Sequence, residues 1–229
     1  MSAPLPRVDP REVGLSSERL SRLDEHFRRY VDDGRLAGWL VAVARHGRVA
    51  HMSSYGSADA ARTRDFTEDT VVRLYSMTKP LTSVAAMMLV ERGQLALKDP
   101  VANFLPKFGE SQVFTGGSAE SPVLVPQERP MLIWHLLTHT AGLTYGFQQQ
   151  DPVDDMYRAA GFEWGYPDGF DLDDCCRVWA SLPLLFQPGT EWNYSVATDV
   201  LGRVVEVVSG RSLDRFFEDE ILGPLGMHE

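Results

Sequence analysis

The chain has 229 residues, enough for one large domain or two small ones around a buried core. Hydrophobic residues make up 44% and charged residues 24%, a globular balance that excludes disorder, collagen and coiled coil. The net charge is −10 with no basic run, and such a surface repels phosphate, which argues against nucleic acid and anionic membrane as partners.

The lead up to Gly14 carries Pro, Arg and Asp without an apolar segment, unlike a secretory signal. Ser16 or Ser17 then caps a predicted helix whose apolar positions Leu20, Leu23, Phe27 and Val31 follow helical spacing, and Gly34 stops it. Two short apolar runs, Trp39 to Ala44 and Val49 to Tyr55, flank Arg45-His46-Gly47-Arg48 and read as a β-hairpin. Asp69 to Leu74 is a further β-like stretch. From Thr78 to Arg92 the pattern turns helical, with Leu81, Val84, Ala85, Met88 and Leu89 on one face and Gly93 at the end.

Residues 93–130 read as loop, punctuated by Pro100, Pro106, Pro122, Pro126 and Pro130. Met131 to Thr138 is a short helix closing near Gly142, and Asp151 to Pro188 is mixed and aromatic. Cys175 and Cys176 are the two cysteines. Adjacent cysteines rarely bridge, which points to a reduced, cytoplasmic protein. Helices over roughly Ala197 to Ser209 and Leu213 to Leu222 complete the order, and no stretch is apolar over the roughly 18–20 residues that span a bilayer. An α+β domain with a helical insertion fits best. The strands are nevertheless too few for a complete sheet.

Several patterns resemble sites without their full chemistry. His135 and His139 have the i, i+4 spacing of a zinc-protease helix, but Leu136 stands where its general base would be. Asn193-Tyr194-Ser195 is formally a glycosylation acceptor. Asp171, Asp173 and Asp174 lack the Gly and distal Glu of a calcium loop and read as a solvated loop. No Gly-x-Ser-x-Gly, phosphate-binding loop or dinucleotide fingerprint occurs.

Ser76-Met77-Thr78-Lys79 is different. Residues three apart share a helical face, so Lys79 is placed to reach the Ser76 hydroxyl at the start of the helix. A Ser hydroxyl is a poor nucleophile until a base takes its proton, and the helix N-terminus favours the negative charge that then develops. A partly buried Lys can serve as that base, whereas Arg stays protonated. The chain holds 19 Arg and three Lys (Lys79, Lys98, Lys107), so keeping Lys at this position is notable.

Arg73-Leu74-Tyr75-Ser76-Met77-Thr78-Lys79-Pro80 resembles the nucleophile segment of the serine β-lactamase-like superfamily, nearest to the family VIII carboxylesterases related to class C β-lactamases. Leu136 to Leu143, Phe186 to Ser195 and Gly223 to Met227 resemble three further blocks in family order. The resemblance implies a β-lactamase/transpeptidase-like α+β fold, an antiparallel sheet flanked by helices plus a mostly helical region. Residues 1–75 would begin the sheet domain, 76–198 form the helical region opening with the nucleophile helix, and 199–229 return toward the sheet. It also implies Ser76 as acylated nucleophile, Lys79 as its base and Tyr194 as a proton-sharing phenol, with no metal or organic cofactor.

Where β-lactamases and penicillin-binding proteins have Tyr-x-Asn, this chain has Tyr194-Ser195-Val196. Val offers no amide to a lactam or peptide, and unpaired polar atoms are costly, which points toward small to medium carboxylic esters. Trp134, Trp164, Trp179, Trp192, Phe162 and Tyr166 are candidates to line an apolar acyl or alcohol pocket. The expectation is a cytoplasmic serine carboxylesterase. The alternatives are a β-lactamase, D-alanyl peptidase or acyltransferase using the same acyl-enzyme, and a silent binding or scaffold protein of the same fold. Family relatives continue past the last block with strands bearing a third motif and an oxyanion-hole amide. The chain is therefore expected to be the N-terminal part of a longer polypeptide and to require that C-terminal segment.

Overall fold

The computed structural model describes residues 5–227, which divide into two compact units, one up to Arg73 and one from Leu74 onward.

In the first unit, Ser16 accepts a hydrogen bond from the Arg19 amide at 3.3 Å and opens helix α1, Ser17–Asp32. Leu20 and Val31 are buried on its inner face, with Leu23 and Phe27 half-buried between them, as the spacing predicts. Strands β1, Gly38–Arg45, and β2, Arg48–Gly56, pair antiparallel with Trp39 opposite Tyr55. Their two-residue turn places His46 at φ 53° and Gly47 at φ 69°, the left-handed geometry whose twist matches a hairpin. Helix α1 packs on β2. A polar cluster ties them: Asp24 Oδ1 lies 2.9 Å from His51 Nε2 and accepts from Ser53 Oγ at 2.6 Å.

The β-like stretch Asp69 to Leu74 is not a strand. It runs without a ladder partner, with Val71 81% exposed, because alternating β-formers become a strand only when another backbone answers their amides.

The second unit is mostly helical. Helix α2, Thr78–Glu91, buries Thr82, Ala85, Ala86 and Leu89, whereas Val84, expected on that face, is exposed. The buried stripe is centred on small residues, which let helix α6, Ala197–Ser209, pack closely along it. Helix α6 also packs on α3, Ile133–Leu137, and on α5, Leu172–Ser181. It runs unbroken through residue 198 and lies in the same unit as residues 76–198. Helices α4, Pro152–Ala159, and α7, Leu213–Phe217, complete the layer, and a single π turn, Glu218–Leu222, follows α7.

Residues 93–130 hold more structure than their prolines suggest. Strands β3, Gln112–Gly117, and β4, Pro122–Pro126, form a hairpin whose bounding prolines sit at the two ends of β4. Leu184 bonds to the other edge of β3, donating to Gln112 O and accepting from Phe114 N, both at 2.8 Å. The sheets among the described residues are thus two two-stranded antiparallel ones. The Asp171–Asp174 cluster is not a solvated loop but a helix start: Asp171 caps α5 by accepting from the Asp174 amide at 2.8 Å, and Asp173 and Asp174 pair with Arg177. Cys175 and Cys176 are free and buried within α5, and burial pushes the Cys175 thiol up to about 11.

Candidate active site

Ser76 occupies one 3₁₀ turn, Tyr75–Met77, that passes directly into α2 at Thr78. The residue before it, Tyr75, has φ 47°, a left-handed conformation that costs a bulky side chain about 1–3 kcal/mol. That strained corner leaves Ser76 exposed at the positive end of a 14-residue helix.

Tyr194 arrives from a long segment between α5 and α6. The segment is sewn to residues 139–146 by main-chain bonds: Leu185 N to Gly142 O at 2.7 Å, Gly189 N to Thr140 O at 2.7 Å and Asn193 N to His139 O at 2.9 Å. Two glycines permit the close approach. A Cβ on Gly142 (φ 84°) would lie 2.5 Å from Phe186 O, and one on Gly189 (φ 83°) would lie 2.7 Å from His135 Nε2. The Asn193 amide donates to Leu143 O at 3.0 Å and Gln148 Nε2 to Tyr194 O, so the Asn of the formal glycosylation pattern serves packing.

These constraints bring the Tyr194 hydroxyl to 2.6 Å from Ser76 Oγ. Lys79, second residue of α2 and one turn past Ser76, donates from Nζ to the Tyr145 hydroxyl at 3.2 Å and lies 4.9 Å from the Tyr194 ring centre. Ser76, Lys79 and Tyr194 therefore converge. Burial pushes the Tyr194 phenol up, but the hydrogen bond to Ser76 and the Lys79 ammonium outweigh it and hold the phenol below its ordinary range.

Three further side chains join them: Tyr145 and Asp199, which sequence patterns did not single out, and His139, which they singled out only as half of a zinc-like pair. Tyr145 takes the Lys79 hydrogen bond, and burial followed by the nearby Asp199 carboxylate raises its phenol, keeping it protonated. Asp199, five residues past Tyr194 on α6, accepts from the Tyr166 hydroxyl at 2.5 Å. Burial raises the Asp199 carboxyl, and the Tyr166 bond and Lys79 charge offset it in part. His139 packs its ring 4.9 Å from that of Tyr194, and burial with the Lys79 charge lowers its pKa, favouring the neutral imidazole. Tyr145 stands two residues past the Leu136–Leu143 block and Asp199 one helical turn beyond the Tyr194 block, but nothing in spacing ties either to Lys79.

The zinc-like histidine pair dissolves in three dimensions. His139 lies beyond the end of α3 at φ 56°, and His135 uses Nδ1 to accept from the Leu132 amide at 3.0 Å, capping its own helix. The aromatic candidates also divide. Trp179 and Phe162 are core residues, 0% and 4% exposed, whereas Trp164 and Trp192 are open at 78% and 67%. Val196 is 3% exposed and belongs to the core, so it presents no surface to a bound ester.

A family model described as Beta-lactamase matches residues 23–229. Esterase EstB of Burkholderia gladioli is 39% identical over 225 residues, 97% of this chain and 54% of that protein. Lovastatin esterase of Penicillium rubens is 32% identical across 90% of this chain and 51% of its own length. Among solved structures, EstCE1, described as a hydrolase with promiscuous acyltransferase activity, superposes with a TM-score of 0.77 at 35% identity, covering 90% of this chain and 51% of that one. The chain thus spans about half the length of the curated relatives it matches. With a matching model over most of its residues and a fold shared with EstCE1, the chain belongs to the beta-lactamase family.

Proposed function

We propose that the protein is a serine carboxylesterase acting on small to medium carboxylic esters through an acyl-enzyme on Ser76. The observation that carries this reading is the 2.6 Å contact between Ser76 Oγ and a Tyr194 phenol held below its ordinary range. As phenolate, Tyr194 takes the Ser76 proton while Oγ attacks the ester carbonyl. The tetrahedral intermediate collapses when Tyr194 returns that proton to the leaving alcohol oxygen. Water, activated by the same phenolate, then attacks the acyl carbon and releases the acid and Ser76. Lys79 supplies the positive charge that favours the phenolate, Tyr145 holds its ammonium by a hydrogen bond, and Asp199 lies near enough to feel its charge. Sequence spacing casts Lys79 as the direct base; this geometry favours Tyr194 in that position.

An alcohol in place of water at the second step would make the same acyl-enzyme an acyltransferase, a reading favoured by the activity ascribed to EstCE1. The test is labelling with a fluorophosphonate, with the adduct located by mass spectrometry, alongside turnover of p-nitrophenyl butyrate and nitrocefin. An adduct on Ser76 with butyrate turnover exceeding nitrocefin turnover is expected. A protein that carries this chain together with the C-terminal segment, takes no adduct and hydrolyses neither compound is the silent scaffold instead.

A further inference from the structure

Tyr194 is the first ring of a continuous aromatic array. Its ring lies 5.4 Å from that of Tyr145, Tyr145 stacks on Phe147 at 4.8 Å, and Phe147 stacks on Trp164 at 5.3 Å with the planes only 10° apart. The inner rings are held by polar bonds. Thr144, next to Tyr145, donates to the buried Asp154 at 2.6 Å, and Asp154 also accepts from the Gln150 amide at 2.9 Å. The outer ring belongs to a loop bracketed by Gly161 (φ 91°) and Gly169 (φ 81°).

That loop is anchored on both sides of Trp164. Tyr166 bonds to Asp199 at 2.5 Å and packs its ring 5.9 Å from buried Trp179, and Phe170 meets Phe162 edge-on at 6.3 Å. Trp164 is the most exposed of these aromatics, at 78% against 52% for Tyr166 and 42% for Phe170, with one face on Phe147 and the other open. An ordered indole with a free face is a surface that flat apolar groups cover favourably, by area and by stacking.

We propose that Trp164, stacked on Phe147, is a specificity-determining residue that receives a flat apolar alcohol portion of the ester, an aryl group above all. The proposal rests on the reading of Tyr194 as the proton donor to the leaving oxygen. The leaving oxygen then sits against Tyr194, and the substituent it carries extends along the array that begins there. On this proposal the acyl portion, bonded to Ser76, lies away from the array.

The experiment compares two butyrates that share an acyl group, ethyl butyrate and 2-naphthyl butyrate, with ethyl 2-naphthoate as the acyl-side counterpart. Trp164→Ala should lower kcat/KM for 2-naphthyl butyrate by about tenfold or more and leave both ethyl esters within about twofold of the unsubstituted protein. Trp164→Phe should fall between. Retained ethyl butyrate turnover shows that the variant is folded. Equilibrium dialysis of 2-naphthol against Ser76→Ala, with and without Trp164→Ala, reads the same surface without chemistry and should show affinity lost with the indole.

An equal loss on ethyl and 2-naphthyl butyrate, a loss confined to ethyl 2-naphthoate, or unchanged 2-naphthol affinity overturns the proposal. If the protein hydrolyses none of the esters, the esterase reading falls, and the dialysis still decides whether Trp164 binds aryl alcohols.

Discussion

Ser76 and Tyr194 stand 118 positions apart in the chain, and their hydroxyl oxygens lie 2.6 Å apart. The contact is made by two rigid ends, the 3₁₀ turn entering α2 and the glycine-assisted seam between residues 139–146 and 185–196. Neither end is positioned by its own segment alone.

Ser76→Ala is expected to abolish hydrolysis of p-nitrophenyl butyrate and fluorophosphonate labelling with little change in the thermal midpoint, since the hydroxyl is exposed and outside the core. Residual rates within tenfold of the starting protein would remove Ser76 from the nucleophile role.

If Tyr194 carries the proton as proposed, Tyr194→Phe lowers kcat by about 10²–10⁴-fold with a small change in KM, because a proton-transfer group adds little binding. Steady-state kinetics with one fixed ester checks it. A Phe variant with normal kcat would place the proton transfer elsewhere.

The pH profile separates the two roles open to Lys79. The active phenolate forms as pH rises, and a phenol held low places that rise in kcat/KM below the ordinary tyrosine value of 10.0. Removing the ammonium in Lys79→Met takes away a lowering influence and leaves burial opposed by the Ser76 bond, so the rise should move to higher pH. Lys79→Arg keeps the charge and should retain more activity than Lys79→Met. Equal loss in both variants, with the profile unmoved, would return the base role to Lys79.

Asp24 links α1 to β2 through Ser53 and His51. Burial raises its carboxyl, but the bonds from Ser53 and His51 outweigh this and hold it below its ordinary 3.8. The ionised form is therefore favoured by folding. Its stabilisation is complete above pH 3.8 and fades as pH falls through the lower folded value. Asp24→Asn should cost about 1 kcal/mol near neutral pH, with the difference from the starting protein shrinking in acid. Denaturant titrations at pH 7 and below pH 3.8 check it. A difference that grows in acid would reverse the assignment.

Val196 is 3% exposed, so Val196→Asn buries an amide rather than offering one to a lactam. The variant should lose about 1–3 kcal/mol of stability and gain no nitrocefin turnover. Thermal denaturation and a nitrocefin assay read both outcomes. A gain in lactam turnover would show that the side chain at this position reaches the substrate.

Local patterns made much of the fold legible. The Ser16 cap, the apolar spacing from Leu20 to Val31 and the His46-Gly47 turn are short-range effects, decided by neighbours within a few residues. The Ser76–Lys79 spacing is likewise a property of one helix start, and Tyr194 was legible through the block around it. What failed locally was partner-dependent. Val71 and Val72 have strand-forming side chains and no ladder, while β3 and β4 form among prolines because Leu184, far along the chain, completes one edge.

Composition, short-range spacing and motif order therefore determined the family, the principal helices and the first hairpin, and singled out Ser76 as the candidate nucleophile. Only the tertiary structure decided which groups surround it: that Tyr194 rather than Lys79 meets Ser76 Oγ, that Tyr145 takes the Lys79 hydrogen bond, and that Asp199 supplies a buried carboxylate nearby. It also sorted identical residue types, placing Trp179 in the core and Trp164 in the open. The physical reason is common to all of these. Burial and pairing depend on contacts between distant segments, and hydrophobic character or charge in the sequence is the same whichever partner the fold supplies.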